Sequence, residues 1–392
     1  MTLPLLLLSL LPQASAPPQL LASTSGEVRP SIGRMSGPES LLMREVSLPA
    51  RPWLTGRAWE AILGDLDGDG TADLPEGIDA LCLAPGPAVG PCSIADIWFS
   101  TDRNGPGYRD GDVLRLTAVG ALEVVYSEDD LWQVLAPASG TIDLDALSLA
   151  PGGGLLLSLR DTLPGTALGD LEDGAIFGWN PVTGALWSVA DEVQVQAWVT
   201  QATGSSASFG DLKALTVNPA SGEFLFSVQA PGDRDGSVFG NAGGGRLLSG
   251  WQEDEWGLGD FELDALAWPE GGADAPPVLD CAQRSVLVGV PLPLQFLGGA
   301  TDEGVVALLA DRSDWNRPGV GGFALQIVDR FAPHVLALPQ AGQMGLRTGA
   351  LGNVSWDLLL PAVPPALLGG DLLLQAAGGR SGLSTPLRLR LQ

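Results

Sequence analysis

Residues 65–76, DLDGDGTADLPE, place a carboxylate at nearly every second position and interrupt the run with a glycine. If Asp65 is position 1, aspartates also stand at positions 3, 5 and 9, Gly70 at position 6 and Glu76 at position 12. Ca²⁺ takes six to eight oxygen ligands at about 2.3–2.6 Å, and successive carboxylates converge on it only where the chain turns sharply, as Gly70 permits. The stretch therefore predicts a Ca²⁺ site, whose ligands are Asp65, Asp67, Asp69, Thr71, Asp73 and Glu76.

These twelve residues match the pattern D-x-[DN]-x-[DN]-G-x5-E and resemble EF-hand-type calcium loops, including those of dockerin modules and of secreted FG-GAP-like repeats. The resemblance implies main-chain ligation by Thr71 and side-chain ligation by the other five predicted ligands. The flanks depart from that family: residues 58–63 suit a short helix, but Pro75 and Gly77 lead into a strand-like sequence. We expect a structural Ca²⁺ site rather than a helix–loop–helix sensor; the alternative is a solvated acidic turn.

The charge balance of the whole chain is strongly acidic. Asp and Glu number 46 against 20 Lys and Arg, which gives a net charge of −26; Lys213 is the single lysine and His334 the single histidine. A nucleic-acid surface needs a basic patch, so nucleic acid is excluded as a partner. Self-repulsion at this charge opposes compactness, and bound cations would relieve it. No apolar run reaches the roughly 18 residues that a membrane span needs.

Residues 1–16 have the pattern of a secretory signal peptide. Leu3–Leu11 form an apolar segment, and Ala14-Ser15-Ala16 is a small-x-small cleavage site, although the segment before the apolar run lacks a basic residue. A membrane anchor is the alternative, but nine apolar residues are too few to span a bilayer. We expect a mature chain that begins near Pro17 and is secreted or on the cell surface, with a periplasmic location also open.

Exported proteins usually pair their cysteines in disulfides, and the three cysteines of this chain allow at most one pair. Cys82 and Cys92 flank a segment rich in proline and glycine and could form a disulfide, which would leave Cys281 unpaired. Three buried thiols are the alternative.

A repeated tetrapeptide, [I/L]-[D/K]-A-L, is the main structural signal in the chain. After each of its first three copies come three further short apolar segments, separated by turns that include an acidic-glycine pair. Four strands per unit is the composition of a β-propeller blade, and residues from about 20 to 60, with the segment after Leu263, could complete a fourth unit. An irregular β-solenoid or a sandwich is the alternative. The four copies lie at 78–81, 144–147, 212–215 and 263–266.

From this pattern we predict an all-β protein: a propeller-like array of four-stranded repeats followed by a C-terminal β-sandwich domain. Beyond residue 271 the repeat stops, and short apolar runs split by Gly and Pro are typical of a sandwich. The predicted divisions are a signal peptide at 1–16, an N-terminal segment at 17–57, a β-repeat domain with the calcium loop at 58–270, and the sandwich-like domain at 271–392.

The second residue of the tetrapeptide is acidic in three copies, Asp79, Asp145 and Asp264, and is Lys213 in the fourth. A ring of metal-binding or catalytic carboxylates is one interpretation. We favour aspartates that hydrogen-bond turn amides, because Lys213 argues against a shared role that depends on negative charge. The acidic-glycine pairs are likewise interpreted as turns.

The sequence lacks the residue patterns that most enzyme classes need for catalysis. A nucleophilic triad needs a base, and His334 lies in an apolar strand pattern that favours a structural role. The cysteines lack zinc-site spacing, and Lys213 is not in a phosphate-binding loop. Glycoside hydrolysis needs only two carboxylates, so it stays open.

Tryptophan is abundant, with 12 Trp against 2 Tyr. Indoles inside strand segments are expected to pack in the core, whereas indoles in polar surroundings could stack on sugar rings. The strand group contains Trp98, Trp179 and Trp187, and the candidates for a binding surface are Trp132, Trp251 and Trp256.

The sequence thus predicts a secreted calcium-binding β-repeat protein that acts as a binding or structural module at the cell exterior, with a glycan or another surface protein as partner. Its overall pattern resembles uncharacterised secreted bacterial β-repeat proteins, which implies no activity. The alternative is a carbohydrate-active enzyme, a glycosidase or lyase, that uses paired carboxylates on the propeller-like scaffold. A purely structural surface-layer component is the third possibility.

Overall fold

The computed structural model describes most of the chain between residues 19 and 268 and only separate strands beyond it. The described residues are 19–28, 30, 37–45, 50–84, 96–116, 122–151, 153–218, 221–229 and 234–268, and then the strands between 278 and 391. The signal-peptide prediction, Cys92 and His334 lie outside the described residues.

The described part of the repeat region forms four small antiparallel sheets, which we number as blades 1 to 4. The chain first supplies three strands of blade 1: β1 (Gln19–Thr24), β2 (Leu41–Glu45) and β3 (Arg51–Leu54). Helix α1 (Gly56–Leu63) and the acidic loop follow. Blade 2 is consecutive and contains β4 (Ala80–Ala84), β5 (Asp96–Ser100), β6 (Val113–Leu116) and β7 (Leu122–Tyr126).

Blade 3 comes after helix α2 (Glu128–Leu135). It contains β8 (Leu144–Leu149), β9 (Leu155–Leu159), β12 (Ile176–Asn180) and β13 (Ala185–Ala190), and the hairpin β10 (Leu163–Thr166) with β11 (Gly169–Leu171) projects from it. Blade 4 comes after helix α3 (Glu192–Thr203). It contains β14 (Leu212–Val217), β15 (Phe224–Val228), β16 (Phe239–Gly240) and β17 (Arg246–Leu247).

A strand from the end of the repeat region completes blade 1. β18 (Leu263–Ala267) pairs antiparallel with β1, in the register Leu21 opposite Ala267, so the sheet order is β18-β1-β2-β3. This joins the two ends of the repeat region in one sheet and closes the ring, as propellers do. The prediction that segments near 20–60 and after Leu263 supply the fourth unit is confirmed, and the arrangement is a four-bladed, propeller-like one.

The tetrapeptide strands line the axis. β4, β8, β14 and β18 are each the edge strand of their sheet, and each lies against its neighbours around the ring. Because successive side chains of a strand point to opposite faces, a blade packs on both neighbours. Leu20 and Leu21 show this: Leu20 belongs to the core between blades 4 and 1, and Leu21 to the core between blades 1 and 2.

Each junction between blades has an apolar core of its own, and together they hold the ring by burial. The largest fully buried side chains include Trp59, Trp256, Phe99 and Phe226. Cys82 is buried as a free thiol between blades 2 and 3, and burial raises its pKa.

The structure contains the short helix expected at residues 58–63, which is α1, and adds helices α2 and α3, which the sequence did not predict. After the last strand of each blade the chain forms a helix or a 3₁₀ turn, the latter at Glu253–Glu255. Local caps start them: Ser127 and Asp130 form a reciprocal capping box at α2, and Asp191 accepts from the Gln194 amide at α3. Short helices with such caps carry little apolar periodicity, which is why the pattern missed α2 and α3.

The C-terminal part is described as two sheets. One has the order β19 (Val278–Cys281), β21 (Pro291–Leu297), β24 (Val354–Leu359). The other contains β20 (Ser285–Val286), β22 (Val305–Asp311), β23 (Leu336–Leu338), β25 (Asp371–Gly378), β26 (Gly382–Leu383) and β27 (Leu387–Leu391). The prediction of β structure here is confirmed. Among the described helices, none has the length and apolar content needed to cross a bilayer.

Candidate functional site

The second residues of the four tetrapeptides converge at one mouth of the ring axis. Asp79, Asp145, Lys213 and Asp264 all line a single cavity of about 500 Å³. We call it the axial cavity. Carboxylates outnumber cationic side chains seven to three along its lining, so the cavity is acidic.

A hydrogen bond that recurs between neighbouring blades holds the tetrapeptide strands at this mouth of the axis. Ser100 of β5 donates to the Leu144 carbonyl at 2.9 Å, and Ser227 of β15 donates to the Leu263 carbonyl at 2.9 Å. Ser23 of β1 makes the same bond to the Ile78 carbonyl. Each acceptor is the first residue of the tetrapeptide in the next blade, so the bond orients the residue that follows toward the axis.

Lys213 is the internal counter-charge of the cavity. Its ammonium lies 2.9 Å from Asp145 Oδ2 and 3.1 Å from Asp211 Oδ2, with only 15% of the lysine side chain exposed. Burial opposes this charge, but Asp145 and Asp211 outweigh it and raise the pKa of Lys213. The interpretation of the repeated aspartates as groups that bind turn amides is therefore wrong for Asp145, which pairs with a side chain of the next blade.

Asp79 also departs from that interpretation, because its Oδ2 is buried with no hydrogen-bond partner. Burial is the main cause that raises the pKa of Asp79 to about 9, and Asp145 and Asp264 add to it. Burial likewise raises the pKa of Asp264 to about 8, with Glu262 adding and Lys213 opposing. Isolated carboxylates in a low-dielectric site favour the protonated form, unless a cation is bound.

A second layer of acids stands two positions before the tetrapeptide aspartates, and the sequence interpretation missed it. Asp143, Asp211 and Glu262 occupy this place in three of the four copies. These acids lie beside the axial residues: ligand oxygens of Asp143 and Asp145 are within 4.8 Å of each other, and Asp211 lies 3.1 Å from the Lys213 ammonium. The signal was present in the sequence as a longer motif, [D/E]-L-[D/K]-A-L.

Arg160 bridges part of this layer. Its guanidinium is hydrogen-bonded to Asp102 and lies 3.4 Å from Asp143 Oδ2. Burial raises the pKa of Asp143 to about 7, with Asp145 as the next cause and Arg160 opposing. Burial, with the neighbouring Asp145, raises the pKa of Asp211 to about 9. Arg160 and Lys213 thus each contact two acids, but their two positive charges do not neutralise all the carboxylates of this cluster.

The acidic loop at 65–76 leads directly into the axial cavity, and Leu74, Pro75, Glu76 and Gly77 form part of its wall. The loop is preceded by α1 and followed by β4, so the expected absence of a second helix is confirmed. Gly70 adopts φ +91, which is the sharp turn expected at that position.

The loop brings some predicted ligands together and leaves others apart. Ligand oxygens of Asp65, Asp67 and Asp73 lie within 4.8 Å of one another. Asp69 lies outside this group and accepts from the amide and hydroxyl of Thr71. Glu76 also lies outside it and faces the cavity near Tyr108, whose pKa is raised to about 12 by burial and then by Glu76 and Asp73.

Backbone amides hold the loop in its turn. Asp65 accepts from the amides of Gly68 and Gly70 at 2.7 and 2.9 Å, and the Asp73 amide donates to the Gly64 carbonyl at 2.6 Å. Glu76 is displaced because the chain after it straightens into a strand. In a calcium loop of the helix–loop–helix type, the exiting helix turns the position-12 glutamate back toward the ion.

The tryptophan predictions are partly wrong. Trp251 and Trp256 are buried, at 3% and 0% exposure, and the Arg44 guanidinium lies over their rings at 5.0 and 5.3 Å. Trp132 is half-buried against the core between blades 2 and 3. Of the expected core indoles, Trp179 is buried and Trp98 and Trp187 are half-buried. None of the twelve tryptophans is among the described residues that line the axial cavity.

The acidic-glycine pairs are turns, as predicted, and they have a packing role as well. Gly111, Gly174 and Gly236 each lie against the Cγ of a glutamate at the start of the following helix or 3₁₀ turn. Those partners are Glu128, Glu192 and Glu253. The close approach recurs in blades 2, 3 and 4, which makes it part of the repeat.

Comparisons with known proteins do not assign this chain to a family. No family model matches it, and no curated protein matches it. Among solved structures, a Pseudomonas fluorescens alkylpurine DNA glycosylase bound to DNA aligns with 30% of this chain and 29% of its own length, at 11% identity and TM-score 0.17. A fungal alcohol oxidase of the AA5 family in complex with copper aligns with 95% of this chain and 63% of its own length, at 12% identity and TM-score 0.18.

Both TM-scores are too low to carry an argument about fold or function. The class defined by the structure itself is a mostly β protein whose repeat region is a four-bladed, propeller-like ring with an acidic cavity at one mouth of its axis.

Proposed function

We propose that this protein is an extracellular binding module in which a Ca²⁺ ion in the loop at 65–76 stabilises the wall of the axial cavity. The observation that carries the proposal is the continuity between the two. Residues 74–76 end the loop and line the cavity, and Asp79, which also lines it, directly precedes β4 of the first complete blade. An ion held by Asp65, Asp67 and Asp73 would fix the position of that wall.

The ligand that suits the axial cavity is polyhydroxylated, such as a mono- or disaccharide of a surface glycan. A volume of about 500 Å³ is in the range of small-molecule sites. Carboxylates accept hydrogen bonds from sugar hydroxyls, and the fork of Arg160 donates to them. Because the lining is net acidic, a sugar that carries an amino group should bind better than its acetylated form.

A glycan array tests this function, run with Ca²⁺ and again with a chelator. We expect binding that requires Ca²⁺, that favours amino sugars, and that weakens in Asp102→Asn, which removes a charged acceptor from the cavity lining. Asp161→Asn is the matched control, because Asp161 is exposed and is not part of the lining. The absence of glycan binding in both conditions would instead support a purely structural role.

A carbohydrate-active enzyme is the second candidate, and one observation favours it. The cavity brings two acids together: Asp79, whose pKa burial raises to about 9, lies beside Asp145, which pairs with Lys213. Glycosidases use a pair of carboxylic acids, one of which has a raised pKa and donates a proton. Release of reducing sugar from a polysaccharide panel, lost in both Asp79→Asn and Asp145→Asn, would establish this activity.

The proposal also includes secretion of the protein and a β-sandwich fold for its C-terminal domain. The apolar segment and cleavage pattern of residues 1–16 support secretion, and amino-terminal sequencing of the exported protein should begin at Pro17. The two C-terminal sheets are proposed to pack face to face as a β-sandwich, which their length and their separation into two sheets support.

A further inference from the structure

Several carboxylates near the axis, among them Asp79, Asp143, Asp211 and Glu262, have a buried oxygen without a hydrogen-bond partner among the described residues. Asp79 is 6% exposed, its Oδ2 has no hydrogen-bond partner, and it lines the axial cavity. Asp143 Oδ1 is also buried and without a partner. Buried polar atoms in folded proteins are nearly always satisfied, so two such oxygens side by side indicate a missing ligand.

The geometry fits a single ion. Ligand oxygens of Asp79, Asp143 and Asp145 all lie within 4.8 Å of one another. Two oxygens bound to the same Ca²⁺ at about 2.3–2.6 Å are at most about 5 Å apart, so the three carboxylates already lie at coordination spacing. The donors are all carboxylate oxygens, which select a hard divalent cation over a thiophilic metal.

Two cationic side chains each contact one of the proposed ligands, through Oδ2 alone, and each also contacts a second acid. Lys213 contacts Asp145 through Oδ2 and also contacts Asp211, while Arg160 contacts Asp143 through Oδ2 and also contacts Asp102. Asp143 keeps its Oδ1, which has no hydrogen-bond partner in the described part of the chain, and a carboxylate has a second oxygen that can accept or bind an ion. Asp264 is a further acid near this point, close enough to Asp79 and Asp145 to interact electrostatically with both.

We propose that Asp79, Asp143 and Asp145 bind one divalent cation at the axis of the ring, a site separate from the loop at 65–76. The ion satisfies the buried oxygens, and water in the axial cavity completes its coordination. This inference goes beyond the proposed function, which requires only the ion of the loop. The raised pKa values of Asp79 and Asp143 agree with it, since a site built for a cation holds protons when the cation is absent.

Calorimetric titration of the full-length, metal-free protein with Ca²⁺ tests the site, in salt that screens weak surface binding. We expect two bound ions in the wild-type protein and one in Asp79→Asn. One ion is also expected in Asp67→Asn, which disables the loop, and none in the double variant. Asp161→Asn is the control with a single exposed charge removed and should bind two.

The variants separate the two proposals. If Asp79→Asn binds as many ions as the wild type, the axial site is overturned, whether or not the loop binds. If only Asp67→Asn is unchanged, the loop proposal fails and the axial site stands. Far-ultraviolet circular dichroism checks folding, and Asp143→Asn replaces Asp79→Asn if that variant does not fold. Equal stoichiometry with a higher melting temperature in Asp79→Asn would show that a proton, not a metal, occupies the site.

Discussion

The ammonium of Lys213 lies 2.9 Å from Asp145 Oδ2, and the two residues hold the same position of the repeated tetrapeptide in neighbouring blades. The one lysine of the chain therefore stands where the repeat has aspartate, beside an aspartate that would otherwise face another. This ion pair joins blades 3 and 4 at this mouth of the ring.

Replacing Lys213 with methionine should strongly destabilise the ring. Methionine keeps an unbranched, flexible side chain one atom shorter than lysine but removes the charge, so Asp145 and Asp211 remain buried without a cation. Breaking a buried ion pair from one side typically costs about 3–5 kcal/mol of unfolding free energy. Urea unfolding at neutral pH measures it, and adding Asp145→Asn to the variant should recover part of the loss. An unchanged unfolding free energy would show that the pair does not contribute.

Ser100→Ala should weaken the contact between blades 2 and 3. It leaves the Leu144 carbonyl without its hydrogen bond in a buried position, and such a loss costs about 1–3 kcal/mol. Ser188→Ala is the control, because Ser188 is exposed on β13. Chemical denaturation of both variants gives the comparison, and equal stability of the two would rule out a stabilising role for the bond.

Gly111→Ala should destabilise blade 2, because the added methyl group would collide with neighbouring atoms and not because the backbone conformation requires glycine. A Cβ at this position would lie 2.3 Å from the Ile142 carbonyl oxygen, so backbone must move to admit it. Overpacking of this kind costs about 1–3 kcal/mol. Gly26→Ala is the matched control, since nothing lies within 4 Å of its Cβ position. Thermal melts should show a loss for Gly111→Ala alone, and similar melting temperatures for the two variants would be evidence against the packing described.

The stability of the metal-free protein should fall as the pH rises from about 4.5 to about 8. Burial raises the pKa of Glu253 from 4.5 to about 7, with Asp235 adding to the shift, and it raises that of Asp264 from 3.8 to about 8. A carboxyl group with a raised pKa in the folded state stabilises below its unfolded pKa and loses that contribution as the pH passes its folded pKa.

Urea titrations at several pH values in the presence of a chelator check this dependence. Glu253→Gln should make the dependence shallower, whereas Glu172→Gln, at an exposed position, should leave it unchanged. Stability that rises steadily from pH 5 to pH 8 would contradict the predicted direction.

The repeat made much of the fold predictable. The tetrapeptide strands, the turns at the acidic-glycine pairs and the split of blade 1 between the two ends of the repeat region all follow from local apolar patterns and their recurrence. Helices α2 and α3 could not be predicted from these patterns, because their apolar periodicity is weak. Their starts are set instead by the caps at Ser127 and Asp191.

The axial cavity could not be predicted in the same way. Whether Asp79, Asp145, Lys213 and Asp264 meet depends on ring closure, which is a non-local property. Trp251 and Trp256 look exposed from their polar neighbours, yet the short 3₁₀ turn at Glu253–Glu255 and the side chain of Arg44 enclose both rings. Arg44 is distant in sequence from both tryptophans, so this contact also could not be predicted from the local pattern.

The melting temperature of the full-length protein, measured in Ca²⁺ and in chelator, tests the central claim that a cation in the loop at 65–76 stabilises the ring. Ligand at about 100 times its dissociation constant adds about 2.7 kcal/mol to the unfolding free energy, so Ca²⁺ should raise the melting temperature by several degrees. Asp67→Asn should lose much of this increase, whereas Asp161→Asn should keep it. A melting temperature that is the same in Ca²⁺ and in chelator would contradict the account.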